Sequence, residues 1–196
     1  LFGKSSAATS TSDFSMRALD QLVDETCTLA RATAADEFLG LPHPEAMVAS
    51  VPDLGLFDHE AQGLDVEEQI ALVKQAEAAA LDYDPRITNS EGAGLDTHCS
   101  QIVYANTHGF VGEYRTSSFS LAVSPIAAAG GTMQRDSWYA VSRQFKQLEA
   151  PDVIGKTAAR RALRRLGARK VATQEAPVVF DPEMAASLLR TLAGAV

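Results

Sequence analysis

The chain has 196 residues, 46% hydrophobic and 21% charged, which suits one to one and a half ordinary globular domains. Its formal net charge of −8 disfavours a general nucleic-acid binder, and its two cysteines, Cys27 and Cys99, lack the paired spacing of a disulfide scaffold or zinc finger. No apolar run approaches the roughly 20 residues of a membrane helix and no signal peptide is visible, so the default location is cytoplasmic, without membrane.

A first amphipathic helix is predicted from Ser15 to about Thr33, with Ser15 as its cap. Leu19, Leu22, Val23, Thr26, Cys27 and Ala30 share one side; Arg17, Asp20, Gln21, Asp24 and Arg31 share the other. Cys27 in the apolar stripe reads as a structural thiol rather than a nucleophile. Residues 34–64 read as an irregular connector, broken by Pro42, Pro44, Pro52, Gly55 and Gly63. His43 and His59 lie there. His59-Glu60 begins like a zinc-peptidase signature, but Ala61-Gln62-Gly63 follows without a second histidine at either usual spacing, so a solvated loop is expected. Asp65 can cap a second helix, Val66 to about Leu81, with Val66, Ile70, Val73, Ala76 and Ala80 as its stripe. Glu67 and Glu68 occupy its dipole-favoured first turn. Glu77, beside the stripe, reads as an ion-pair partner at the edge of the core rather than a catalytic carboxylate.

Ile87 to Phe145 is a strand-rich block. Alternation such as Phe119-Ser120-Leu121-Ala122-Val123 marks strands with one buried face, and Asn106 to Gly109, Gly112 and Gly130-Gly131 mark turns. An antiparallel meander of about four strands is expected. His98, Cys99 and His108 fall within it, but nothing in their spacing makes three or four metal ligands converge. Asn89, Ser90, Glu91, Arg135 and Asp136 are polar groups of this block that can face solvent, a partner subunit or a bound peptide. Trp138 and Tyr139 point to opposite faces of a regular strand, so at least one packs in a core.

Asp152 is expected to cap a third helix running to about Leu166, with Ile154, Ala158, Ala162 and Leu166 inward. Lys156, Arg160, Arg161, Arg164, Arg165, Arg169 and Lys170 form the one strong basic patch, stopped by Gly167. A solvated helix face explains it most simply; an acidic partner or a phosphate backbone is the sharper reading. Pro177-Val178-Val179-Phe180 reads as a short buried strand. Asp181 then caps a last helix with Pro182 at its first position and Met184, Ala185, Leu188, Leu189 and Leu192 as its apolar residues, which makes a βα unit. No G-x-S-x-G elbow or known Cys/His signature supports a self-sufficient hydrolase. The fold class read from the chain is therefore α+β: two N-terminal helices, an antiparallel meander, a basic amphipathic helix and a terminal βα unit.

Several stretches in consistent order resemble the TldD/PmbA family of metallopeptidase-related bacterial proteins, on its PmbA/TldE-type side. They are GKSSAATSTSDFS from Gly3, ITNSEGA from Ile87, ANTHGFVGEYR from Ala105, MQRDSWY from Met133, LRRLGARKV from Leu163 and PVVFDPEMAASLL from Pro177. The resemblance implies a fragment of a larger chain. Residues 1–170 would be an N-terminal-type α+β domain lacking its first strands, and residues 171–196 the start of a β-rich C-terminal domain. The family's catalytic TldD-type subunits carry an HExxxH zinc motif on the helix after a PVV-like strand. Laid on this chain, its two histidines and glutamate fall at Arg190, Ala195 and Thr191, and no histidine follows His108. The resemblance thus implies a non-catalytic subunit with no metal or cofactor of its own, zinc being expected in the TldD-type partner. It further implies a heteromeric complex cleaving unfolded peptides, including the leader of a ribosomally made peptide antibiotic and an antitoxin. A homodimer is compatible with this reading and nucleic acid is disfavoured. The alternative is a regulatory binding module acting on DNA gyrase or nucleic acid through the Arg160 to Lys170 patch.

Overall fold

Glycine and alanine, more than large side chains, decide how the helices of this chain meet. A computed structural model describes residues 1–48, 50–59 and 63–195. The chain runs α1 (Met16–Ala32), α2 (Val66–Leu81), β1 (Ile87–Ala105), β2 (Val111–Ala129), β3 (Thr132–Arg135), β4 (Trp138–Ser142), α3 (Pro151–Arg164) and α4 (Pro182–Ala193). This is the expected α+β order of helices, antiparallel sheet, basic helix and terminal helix. Two compact units form: Leu1–Gly63 with Asp96–Phe119 and Ser142–Gln147, and Leu64–Leu95 with Ser120–Val141 and Leu148–Val196.

The second unit is built on the α2–α3 contact. A Cβ placed on Gly155 would stand 2.2 Å from the Ala76 carbonyl oxygen and 2.9 Å from the Ala80 nitrogen, so the two backbones touch where glycine has no side chain. Ala76, Ala80, Ala158, Ala159 and Ala162 line the crossing and are fully buried. Ile87, Leu121, Val123, Ala127 and Ile154 complete one continuous core with them. Val66 and Ile70, expected in the α2 stripe, stay exposed because the close crossing lies at the alanine end of that helix. Glu77 is half-buried there and forms no ion pair among the described residues.

Helix starts follow local chemistry with two corrections. Ser15 accepts from Ala18 N at 3.3 Å, and Asp181 accepts from Glu183 N at 3.2 Å with Pro182 first in α4. Asp65 flanks α2 without a capping bond. Asp152 lies inside α3, because Pro151 suits the first helical position and moves the start to Ala150; its carboxylate binds Lys156 at 2.9 Å instead.

The meander also departs from a plain succession of hairpins. β2 lies between β1 and β3, and β4 pairs with β2 as well. The β2–β3 register is Ala129↔Thr132 through Ile126↔Arg135, across the Gly130-Gly131 turn whose φ values are +57° and +77°. The next pair would set Asp136 opposite Pro125. Ala128 sends its N–H away from β3, to the Arg86 carbonyl at 2.7 Å, so alternation aims position 125 toward β3. Proline has no N–H to give, and pairing stops at Asp136-Ser137 before β4 resumes. The strand expected at Pro177–Phe180 does not form: the stretch has no pairing partner among the described residues, and Val179 is 96% exposed.

In the first unit part of the connector is packed rather than solvated. Ser117 N donates to Leu56 O at 3.0 Å, Asp58 N donates to Ser117 Oγ at 2.8 Å, and Ser117 Oγ donates to Arg143 O at 2.7 Å. Phe145 N donates to Asp58 Oδ2 at 2.8 Å. Asp58 and Ser117 are buried, and these bonds supply the partners that burial demands. His59 is exposed, as expected of a loop residue; Glu60, Ala61 and Gln62, with which it was compared to a zinc signature, lie outside the described residues.

Two outcomes follow from this packing. Gly155→Ala gains about 1 kcal/mol of helix propensity, but the overlap with the Ala76 carbonyl costs more, so a net loss of about 2 kcal/mol is expected in chemical unfolding. Ahead of β1, the Asp84 carboxylate takes bonds from Arg86 Nε, Nη2 and backbone N, which hold its pKa down at about 2. A depressed acid stabilises the fold above its unfolded value, and that stabilisation disappears as pH falls through about 2. A carboxyl NMR titration should show this low midpoint, and Arg86→Gln should return it toward 3.8.

Candidate functional site

The interruption opposite Pro125 is where charged groups of the second unit collect. Asp136 bends over its own backbone, its Oδ1 accepting from Ser137 N at 2.8 Å. α3 presents Arg161 and Arg165, one helical turn apart, to the two oxygens of this carboxylate: Arg161 Nε lies 3.6 Å from Oδ1 and Arg165 Nη1 3.7 Å from Oδ2. Arg161 Nη2 also reaches Glu183 Oε2 of α4 at 3.1 Å. Its guanidinium stands 5.0 Å from the centre of the Trp138 ring, a cation–π distance, while Trp138 Nε1 donates to Glu149 Oε2 at 3.1 Å. Arg161 Nε is buried and has no hydrogen-bond partner among the described residues, so on that side its charge is met through space by Asp136. Arg135 closes the group by pairing with Glu91 of β1.

Glu91, Ser124, Arg135, Asp136, Ser137 and Arg165 line a polar recess of about 350 Å³. Of the five polar residues singled out in the strand block, Glu91, Arg135 and Asp136 meet here. Asn89 and Ser90 do not line it; their side chains accept from Ser90 N at 2.8 Å and Gly92 N at 2.9 Å, respectively. Ser124, Ser137 and Glu183 were not among the sequence candidates, and Arg161 and Arg165 were read only as part of the basic patch. A signal for the two arginines existed: they flank Ala158 and Ala162, so residues beside that buried stripe must run along the rim of whatever α3 covers. The rest of the basic face behaves differently. Lys156 pairs within its own helix, and Arg160 and Arg164 are exposed without a carboxylate partner among the described residues.

The histidines and cysteines do not converge. His98 shares a 3.2 Å hydrogen bond with Ser100, and His98 and Cys99 are exposed on β1. His108 lies in the β1–β2 turn, and Cys27 is half-buried in α1. Among the described residues no group of three or more His, Cys, Asp or Glu is arranged to hold a metal ion. Among the described residues no helix is long and apolar enough to cross a membrane.

Fold and sequence define a class here. The profile of the PmbA/TldA metallopeptidase central domain matches residues 60–166, more than half of the chain, and the chain belongs to the PmbA/TldD family. It is 38% identical over 187 residues to metalloprotease PmbA of Escherichia coli O157:H7, covering 95% of this chain and 41% of that protein. To a metalloprotease PmbA homolog of Haemophilus influenzae it is 34% identical over 194 residues, covering 99% and 43%. The chain thus spans less than half the length of these curated relatives. A crystal structure of a proposed modulator of DNA gyrase from Bacteroides thetaiotaomicron superposes with a TM-score of 0.75 at 26% identity, over 87% of this chain and 39% of that one. TldE from Thermococcus kodakarensis shares the fold, with a TM-score of 0.63 at 13% identity over 82% and 35%.

The zinc implied by such relatives has a definite test in this chain. The family resemblance lays the zinc motif on Arg190 and Thr191, in the last turn of α4, and on Ala195 beyond its end. Arg190 Nε and Thr191 Oγ1 donate to carbonyls of their own helix, at 3.4 and 3.0 Å, and alanine has no ligand atom. A guanidinium, a helix-bound hydroxyl and a methyl group do not make a zinc site.

The Asp136 pairs are partly buried, and removing this carboxylate leaves Arg161 with Glu183 alone and its buried Nε facing no charge. Asp136→Asn should therefore cost about 1–3 kcal/mol in urea unfolding, whereas Lys156→Gln, at an exposed pair within a helix, should change stability by about 0.5 kcal/mol or less.

Proposed function

We propose that this chain belongs to a PmbA/TldE-type subunit that performs no metal chemistry itself and supports a zinc-bearing TldD-type catalytic partner in cleaving unfolded peptides. The observation that carries this reading is the donor set at Arg190, Thr191 and Ala195, which removes both metal ligands and the general base that would activate a metal-bound water. Its role is then to bind and present peptide within a heteromeric complex in the cytoplasm, or as a homodimer in the partner's absence. β1 ends the strand order of the sheet, so an extended peptide can add to it as a further strand, held by its backbone rather than by its sequence. Asn89, Ser90 and Glu91 of β1 would supply polar contacts along that edge, and Arg135 and Asp136, beyond β2, would add contacts from the recess they share with Glu91. In the same proposal residues 1–170 form one domain and residues 171–196 open the next.

A second reading, a regulatory module acting on DNA gyrase or nucleic acid, draws on Arg160 and Arg164, exposed without a carboxylate partner among the described residues. The overall charge of −8 weighs against it.

Reconstitution separates the two. Full-length protein is mixed with its TldD-type partner, and cleavage of an unstructured peptide is followed with each subunit alone as control. Cleavage only in the mixture, with zinc in the partner alone, is the expected result. Equal cleavage by the partner alone would remove the subunit reading. Salt-sensitive DNA binding lost in Arg160→Ala plus Arg164→Ala would put the regulatory one in its place.

A further inference from the structure

We infer that the recess beneath Arg135 and Arg165 is a carboxylate-binding subsite, occupied by a free C-terminus or an acidic side chain of a bound peptide. The inference rests on the peptide-handling reading above and adds a preference among peptides. Six residues line the recess, and most of their unused hydrogen-bonding groups are donors. One oxygen of each carboxylate accepts a hydrogen bond, Glu91 Oε1 from Arg135 and Asp136 Oδ1 from Ser137 N. The donors are less used. Arg165 approaches Asp136 Oδ2 at 3.7 Å, beyond hydrogen-bond length, so none of its guanidinium N–H groups has an acceptor among the described residues. Arg135 uses one terminal nitrogen on Glu91 and keeps its other side open, its side chain 69% exposed. The hydroxyls of Ser124 and Ser137 line the same space without protein partners among the described residues.

The unused donors of two guanidinium groups and two hydroxyls outnumber the free acceptor oxygens, Glu91 Oε2 and Asp136 Oδ2, and suit a ligand rich in acceptors. A carboxylate fits this demand. It is planar, and its two oxygens match the fork of a guanidinium. A volume of about 350 Å³ is at the small end for a ligand pocket and suits one side chain or chain terminus rather than an extended polyanion. Net charge does not provide the selectivity: Arg135, Arg161 and Arg165 are balanced by Glu91, Asp136 and Glu183. Donor placement does.

Calorimetric titration of the full-length protein tests this with three acetylated hexapeptides of otherwise equal sequence: a free acid without acidic side chains, an amide with one glutamate, and a neutral amide. At least one carboxylate peptide should bind tenfold or more tightly than the neutral amide, and which one does so identifies terminus or side chain. Arg135→Gln with Arg165→Gln should abolish the difference. Ser124→Ala with Ser137→Ala, which leaves every ion pair in place, should reduce it several-fold without loss of folded protein. Equal binding of the neutral amide would overturn the assignment, as would a preference that survives both double variants. Inorganic phosphate binding as tightly as the better peptide would overturn it too. Cleavage in the reconstituted mixture is followed on the same peptides. Cleavage that needs this chain but ignores peptide carboxylates removes the subsite and leaves the subunit reading standing. A carboxylate preference in a chain that supports no cleavage does the reverse.

Discussion

The second unit depends on the absence of one side chain. At Gly155 the backbones of α2 and α3 come so close that no Cβ fits between them. Such an approach requires small residues along the whole crossing, and Ala76, Ala80, Ala158, Ala159 and Ala162 provide them. It also determines which side of α3 faces outward. With Ile154, Ala158 and Ala162 turned inward, Arg161 and Arg165 emerge along the rim of the core and reach the strand interruption. The charged cluster is thus a consequence of helix packing as much as of electrostatics.

Pro125 provides the other half of that arrangement. An unbroken third strand would keep Asp136 and Ser137 within a ladder, with alternate side chains on opposite faces. A missing donor in the middle strand ends the ladder at this point and lets Asp136 turn to α3. A buried or half-buried ion pair is weak evidence for stability, since desolvation offsets much of its attraction. Its better-attested effect is to specify one arrangement. Here Asp136 engages α3 while Arg161 also engages α4 through Glu183, so a single arginine sets the approach of the terminal helix, whose large apolar residues Met184, Leu188, Leu189 and Leu192 all stay exposed.

Much of this was legible in the residues, and the failures are physical. Helical periodicity located α1, α2 and the inward side of α3, because each pattern repeats within one element and needs no partner. Alternation at Phe119 to Val123 located β2 for the same reason. The strand at Pro177–Phe180 was misread because an apolar run has strand propensity whether or not an edge is available to pair with it. Val66 and Ile70 were misplaced because periodicity gives the side of a helix that is buried, not how far along its length the neighbour extends. Glu91, Arg135 and Asp136 could be singled out as polar groups in a strand block, but their meeting with Arg165 joins β1, the β3–β4 break and α3. No local pattern carries that long-range information. Pro125 was the overlooked clue: a proline within an otherwise regular strand predicts a break in whichever neighbour it faces.

The zinc-motif positions of the family resemblance and the polar cluster of this chain lie apart, and that separation bears on the proposed function. Arg190 and Thr191, on which the resemblance lays the motif, bond carbonyls of their own helix, and Ala195 lies beyond the end of α4. The polar cluster sits mainly on the central domain, where Arg135, Arg161 and Arg165 meet Glu91 and Asp136 beside a glycine crossing and a proline break, and only Glu183 joins it from α4. Stability alone gives little reason to keep buried and half-buried charges, because replacing them by apolar residues of similar volume is often neutral or stabilising. Their presence beside a recess with unused donors is better explained by recognition, which tolerates the energetic cost of polar groups in exchange for a specific ligand.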